Sequence, residues 1–238
     1  MKKFFSTLIA LTCITGCFCS CSSQTSESES GTGNTKRAST LPIDPEIIGT
    51  WMNDYNGYDF GDDRKMSLII NFSERGHFTS DGAFQTLGGL IPKENVSYDG
   101  SRLYVTNTVY EEQYGEDVTS VLIDMERLDD KNPDSFNGEY KIYGGIATDM
   151  LADELGIETN HLTFEGKIED ETLIITIVDC FDYETRGETV DIFSEYLKYV
   201  NESANSLTYV YKIEGDTLTM TFTDAEGLEP EIYTKVTE

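Results

Sequence analysis

Histidine and basic residues are scarce in this chain. Its 238 residues include 2 histidines and 17 lysines and arginines, against 44 aspartates and glutamates, for a formal charge of −27. That balance excludes nucleic acid and anionic lipid surfaces as partners, because the phosphate attraction that dominates such binding becomes a repulsion. An acid excess spread along the whole chain reads first as a solvated surface, and secondly as a field suited to cations or basic peptides. The sequence also lacks G-x-S-x-G, H-E-x-x-H, a P-loop and a dinucleotide-binding glycine turn. These absences point away from an enzyme and from any cofactor. His77, beside Phe78 after "SERG", reads as a surface residue of a strand, and neither it nor His161 makes a convincing general base.

Cysteine is missing from the body of the chain except at Cys180, and the other four cluster in "LTCITGCFCSCSSQ". A metal site or disulfide framework needs cysteines projecting from a folded scaffold, with partners elsewhere. Here Lys2, Lys3 and the apolar "FFSTLIALTCIT" precede the cluster and the polar "SSQTSESESGTGNTKRAST" follows it. A charged start, an apolar core too short to span a bilayer and a small residue before the cut describe an export signal. Ile14-Thr15-Gly16-Cys17 resembles the bacterial lipobox, which implies cleavage before Cys17 and acylation of its sulfur. Cys21 is a poorer second choice, and an ordinary cleaved signal is the alternative. On this reading residues 1–16 are the signal peptide and 17–44 a lipidated cysteine with a disordered tether, too poor in apolar residues to fold. The protein is then exported and held on the outer face of a cell membrane, or in the periplasm, through its lipid.

From residue 45 to 238 the signal is β: short runs rich in Ile, Val, Tyr, Phe and Thr between Gly, Asn and Asp. The fold class expected is mainly β, an antiparallel meander closing into a barrel, with two short helices at "TDMLADELG" and "TVDIFSEYLKYV". A hairpin frame recurs in "VSYDGSRLYV", "GKIEDETLII" and "YKIEGDTLTM". In the last, a type II′ turn at Gly215-Asp216 pairs Ile213 with Leu218, Tyr211 with Met220 and Tyr209 with Phe222, all on one face. The same frame opposes Tyr98 to Leu103, Val96 to Val105, and Ile168 to Leu173. The middle copy has no glycine at its turn, so a bulge or longer loop is expected at Asp170-Glu171.

Gly49-Thr50-Trp51, "INFSERGHFTSDG" and the closing "YKIEGDTLTMTFTDAEGLEPEIYTKV" resemble the lipocalin-like domains of small bacterial lipoproteins. The resemblance implies that Trp51 plugs the barrel base and that Gly49 lets the strand bend beside it. An antiparallel barrel with enough strands leaves an interior lined by alternating residues, so a small apolar or amphipathic ligand in its mouth is the function expected. Tyr209, Tyr211, Met220 and Phe222 are the candidate lining. The chain departs from the family in its middle, where a second G-x-aromatic, Gly138-Glu139-Tyr140, occurs. A division into two lobes, 45–130 and 136–238, is left open there. The alternative function is a protein-interaction or envelope-assembly module with a filled barrel.

Other acidic clusters carry weaker signals. Asp179, Asp182 and Glu184 surround Cys180 and contain a carboxylate pair of the kind glycosidases use, but such clusters arise by chance in so acidic a chain. Cys180 itself reads as a small core residue. Asp54, Asn56, Asp59, Asp62 and Asp63 are rich in oxygen ligands, yet their spacing misses the calcium-loop pattern, so a polar loop is the reading and no metal is assigned.

Overall fold

The computed structural model describes residues 41–111, 116–132, 134–194, 206–223 and 227–237, and of 109–111 the backbone alone. In chain order the first strands are β1 (Gly49–Met52), β2 (Asn56–Phe60), β3 (Lys65–Asn71), β4 (Gly76–Phe78), β5 (Phe84–Thr86), β6 (Gly89–Ile91), β7 (Val96–Tyr98), β8 (Arg102–Glu111), β9 (Glu116–Arg127) and β10 (Gly138–Gly144). After helix α1 (Ile146–Leu155) come β11 (Thr163–Glu169), β12 (Thr172–Arg186), β13 (Thr189–Phe193), β14 (Ser206–Glu214), β15 (Thr217–Phe222) and β16 (Glu231–Lys235).

Eight strands in the order β12-β13-β14-β15-β16-β1-β2-β3 form an antiparallel barrel, closed where β3 pairs back onto β12. Closure removes the open edges that a flat sheet would present. The register of β14 and β15 is the one their alternation dictates: Ile213 faces Leu218, Tyr211 faces Met220 and Tyr209 faces Phe222. A one-residue slip would turn this whole apolar set outward. Gly215 adopts φ +61° while Asp216 keeps a negative φ, the sign pattern of the II′ turn.

A second body of sheet grows from the barrel wall at β12. Along one edge β12 pairs with β3 through Ile174–Ile177 and again at Phe181 and Asp182, with a register shift between Ile177 and Phe181 and Asp179 at φ +47°. There the Asp179 N–H donates to Ser67 Oγ at 3.0 Å. On its other edge β12 pairs with β11 up to Val178 and with β13 from Asp182. The bulge therefore forks the sheet, because the extra residues bend the strand and let it change partners. Past the fork β11-β10-β9-β8-β7 continue as a five-stranded wing, and β4, β5 and β6 form a separate small sheet. The barrel draws strands from both sides of the loop between β9 and β10, and β9 and β10 are themselves paired.

Helix α1 lies over the wing, burying Ala147, Leu151, Ala152 and Leu155 and ending at Gly156 in the left-handed conformation. Its start is two residues earlier than Thr148, whose hydroxyl instead donates to Gly145 O. The second expected helix is corrected: Thr189–Phe193 is strand β13, with Val190 and Ile192 buried in the barrel and paired to Tyr209 and Leu207. Val190 and Phe193 are three apart, as a helix requires, while Val190 and Ile192 are two apart, as a strand requires, and the neighbouring strands decided the outcome. The remainder of that segment, 195–200, lies outside the described residues.

Two further expectations are overturned. Asp170-Glu171 is a tight two-residue turn, with Glu169 facing Thr172 and both central residues at positive φ (46° and 72°). Pairing of the buried Ile168 and Leu173 holds the register despite the lack of glycine, and Glu171 O is further tied down by the Phe78 N–H at 3.0 Å. The supposed polar loop around residue 56 contains β2, because Tyr58 and Phe60 point inward and are buried at 3 % and 0 % exposure.

Candidate functional site

One end of the barrel is a sealed base. Gly49, at φ +116°, lets β1 begin under Lys235, whose Cε would lie 3.4 Å from an added Cβ. Trp51 is wholly buried, its indole N–H donates to Ile47 O at 2.7 Å, and Lys235 Nζ sits 4.9 Å from the ring centroid. The ammonium is thereby held over the negative face of the aromatic ring. Segment 41–48 crosses beneath: Asp44 N–H donates to Thr185 Oγ1 and Tyr211 Oη donates to Asp44 Oδ2, at 2.9 and 2.6 Å. The Tyr183 hydroxyl donates to Gly61 O at 2.6 Å, and its ring meets Phe60 edge-on.

The second G-x-aromatic repeats part of this device in the wing. Tyr140 is wholly buried, its hydroxyl donates to Phe136 O, and the Arg127 guanidinium lies 5.8 Å from its ring centroid. In both cases the aromatic residue donates to the carbonyl four residues earlier while a cation covers its face.

The other end of the barrel, where β1, β13 and β15 finish and β2, β14 and β16 begin, has a different character. Glu231 faces the buried Met220 across β16 and β15, so its side chain is on the inner surface. Tyr233 Oη donates to Glu231 Oε2 at 2.5 Å. The Tyr58 ring stands 5.2 Å from Tyr233, and Tyr209 stands 5.3 Å from Phe222. Tyr209 belongs to the wall opposite Tyr58, since β14 and β2 are half the barrel apart in strand order.

Tyr58 is the anomalous member of this group. It is 3 % exposed, yet its hydroxyl makes no hydrogen bond among the described residues. The neighbouring Tyr233 hydroxyl is committed to Glu231. Burial raises the Tyr58 hydroxyl well above the ordinary tyrosine value, with further contributions from Tyr233, Tyr209 and Glu231. A buried hydroxyl left unpaired carries a desolvation penalty of about 1–3 kcal/mol. Folded proteins rarely retain such a group, and an unfilled partner position is one explanation.

The four residues suggested as a ligand lining are all buried, at 4 % for Tyr209, 5 % for Tyr211, 1 % for Met220 and 7 % for Phe222. They divide between two roles. Tyr211 belongs to the base through Asp44, while Tyr209 and Phe222 belong to the tyrosine–carboxylate end, with Met220 beside Glu231. Sequence reasoning missed Tyr58, Glu231 and Tyr233. The alternation of "EIYTK" placed Glu231 on the face of Tyr233, and that signal was available.

The other acidic groups do not converge. Asp182 pairs with Lys65 and Glu184 with Arg186, both on the outer surface of the barrel, while Asp179 is exposed at the bulge. Burial pushes the Cys180 thiol up to about 12, which opposes thiolate formation. Asp59 is engaged by Thr50 and Asp63 by the Lys65 N–H. Among the described residues no group of three or more His, Cys, Asp or Glu side chains is placed to hold a metal ion. Two clefts lie outside the barrel: one of about 360 Å³ beside Phe78, Asp81, Asp134, Phe136 and Glu171, and one of about 350 Å³ beside Asp44, Glu188 and Tyr211. In the first, Asp81 already accepts from Thr79 Oγ1, which holds its carboxyl below the ordinary range.

Comparison of the chain with protein-family models, curated proteins and solved structures gives no match.

Proposed function

We propose that this chain is a lipid-anchored, lipocalin-like binding protein whose barrel takes a small amphipathic ligand at the end lined by Tyr58, Tyr209, Glu231 and Tyr233. The observation that carries this reading is the buried, unpartnered Tyr58 hydroxyl among those groups. An aromatic wall with a few convergent polar atoms is the usual make-up of a small-molecule site. The cluster around Trp51 supplies rigidity, the tyrosines and Glu231 supply recognition, and binding without chemical transformation is the role proposed. Native mass spectrometry of the Cys17→Ser chain expressed and exported in its own host tests the reading. A reproducible bound small molecule, lost in Tyr58→Phe with the fold intact, is the expected result, and a ligand-free wild type refutes it.

The anchor rests on the lipobox resemblance at Ile14–Cys17. Metabolic labelling with a fatty-acid analogue should mark the wild type and vanish in Cys17→Ser, with the protein shed to the medium. Label retained in Cys17→Ser and lost in Cys21→Ser places the cut elsewhere. The protein-interaction alternative draws on one feature, the tip of the β5–β6 hairpin, where Leu87 and Leu90 are 84 % and 57 % exposed. Exposed leucines in such a tip suit a partner surface. Leu87→Ser with Leu90→Ser should abolish complex formation in cross-linking experiments if that role is the real one.

A further inference from the structure

Resting on the barrel-binding reading, we propose that the ligand's head group is a protonated amine, held between the Glu231 carboxylate and the rings and hydroxyls of Tyr58, Tyr209 and Tyr233. Three independent features select a cation over a neutral or anionic head. Glu231 is turned into the barrel and accepts from the Tyr233 hydroxyl, and among the described residues no lysine or arginine pairs with it. An inward carboxylate with a single donor and no counter-ion leaves acceptor capacity that an ammonium fills and an anion cannot. Tyr58 adds a buried oxygen without a partner, a second acceptor for an N–H donor. The rings add aromatic surface of several orientations: Tyr58 and Tyr233 meet at 59° and Tyr209 and Phe222 at 50°, and Tyr58 is within electrostatic reach of both Tyr209 and Glu231. Cations favour the faces of such rings.

The charge distribution supports the same choice. Lys235, four residues along β16 from Glu231, is held over the Trp51 ring and makes no ion pair with Glu231 among the described residues. The net charge of −27 concentrates cations near the whole surface and repels anionic amphiphiles. An alkyl chain attached to the amine would then lie against the apolar wall that includes Met220 and Phe222. No bond is made or broken, and recognition requires only that the amine arrive protonated.

The test is a calorimetric comparison of octylamine, octanol and octanoate on the Cys17→Ser full-length chain, all below their micellar concentrations. Octylamine should bind about tenfold or more tighter than octanol, as a charge-assisted hydrogen bond implies, and octanoate weakest. Glu231→Gln should bring octylamine down to the octanol level and leave octanol unchanged. Equal binding of amine and alcohol, or tighter binding of octanoate, overturns the cationic head group while leaving the barrel reading standing. Failure of all three to bind, together with a ligand-free protein from the host, overturns the barrel reading itself. If Glu231→Gln does not fold, the order of affinities on the unsubstituted barrel decides alone.

Discussion

Tyr58→Phe and Tyr233→Phe remove the same atom from adjacent, buried rings, and the structure assigns them opposite signs. The Tyr58 hydroxyl has no hydrogen-bond partner among the described residues, so its removal relieves a desolvation penalty of about 1–3 kcal/mol. For a chain of this size each kcal/mol moves the melting temperature by about 2–4 °C, and Tyr58→Phe should therefore melt at least about 2 °C higher. The Tyr233 hydroxyl donates to the Glu231 carboxylate at 2.5 Å. Its loss removes a hydrogen bond to a charged group, about 1.5–3 kcal/mol, and leaves Glu231 short of a donor. Tyr233→Phe should therefore melt lower by a similar margin. Thermal melts of the ligand-free proteins, followed by circular dichroism, read both. The functional corollary is that the more stable Tyr58→Phe binds octylamine more weakly than the wild type, a stability–function trade-off. If Tyr58→Phe is destabilised as much as Tyr233→Phe, the Tyr58 hydroxyl is bonded in solution, and the cluster is structural.

Trp51→Ala should cost about 3–5 kcal/mol, as truncation of a buried aromatic does; urea denaturation measures it, and a loss under about 1 kcal/mol would remove Trp51 from the base. Alkali should unfold the protein early. Burial holds the Tyr183 hydroxyl up to about 12 and raises those of Tyr58, Tyr140 and Tyr211 in the same direction, against about 10 in the unfolded chain. The folded chain then keeps protons that the unfolded chain has lost, so stability is complete below pH 10 and falls as pH rises through 10 towards 12. Melting temperatures that stay flat across that window contradict the burial of these rings. Cys180 is half-buried and burial pushes its thiol up to about 12, so the native protein should react with thiol reagents at neutral pH more slowly than the urea-unfolded chain, and equal rates refute its placement.

The barrel's paired frames were legible in sequence because a sheet with one buried face writes its register as an alternation. "YKIEGDTLTM" specified the partners of Tyr209, Tyr211 and Ile213, and "VSYDGSRLYV" those of Val96 and Tyr98, through the same local rule. The G-x-W signature marked Gly49 and Trp51 without showing what holds them. The indole bond to Ile47 O is local, but the ammonium above the ring comes from Lys235, at the other end of the chain.

Where the sequence misled, the deciding force was non-local. Thr189–Phe193 fits either a helix or a strand until β12 and β14 flank it. The run Thr172–Arg186 gives no sign that a bulge near Asp179 lets it serve two sheets, since that depends on which strands reach each of its edges. Composition and alternation thus settled that the chain is an acidic, mainly β protein with inward-facing tyrosines, because charge and side-chain period are properties of adjacent residues. Only the closed barrel brought Tyr58, Tyr209 and Glu231 together across more than 170 residues of chain and left one hydroxyl among them unpaired, because that meeting depends on how β14, β16 and β2 are arranged around a common interior.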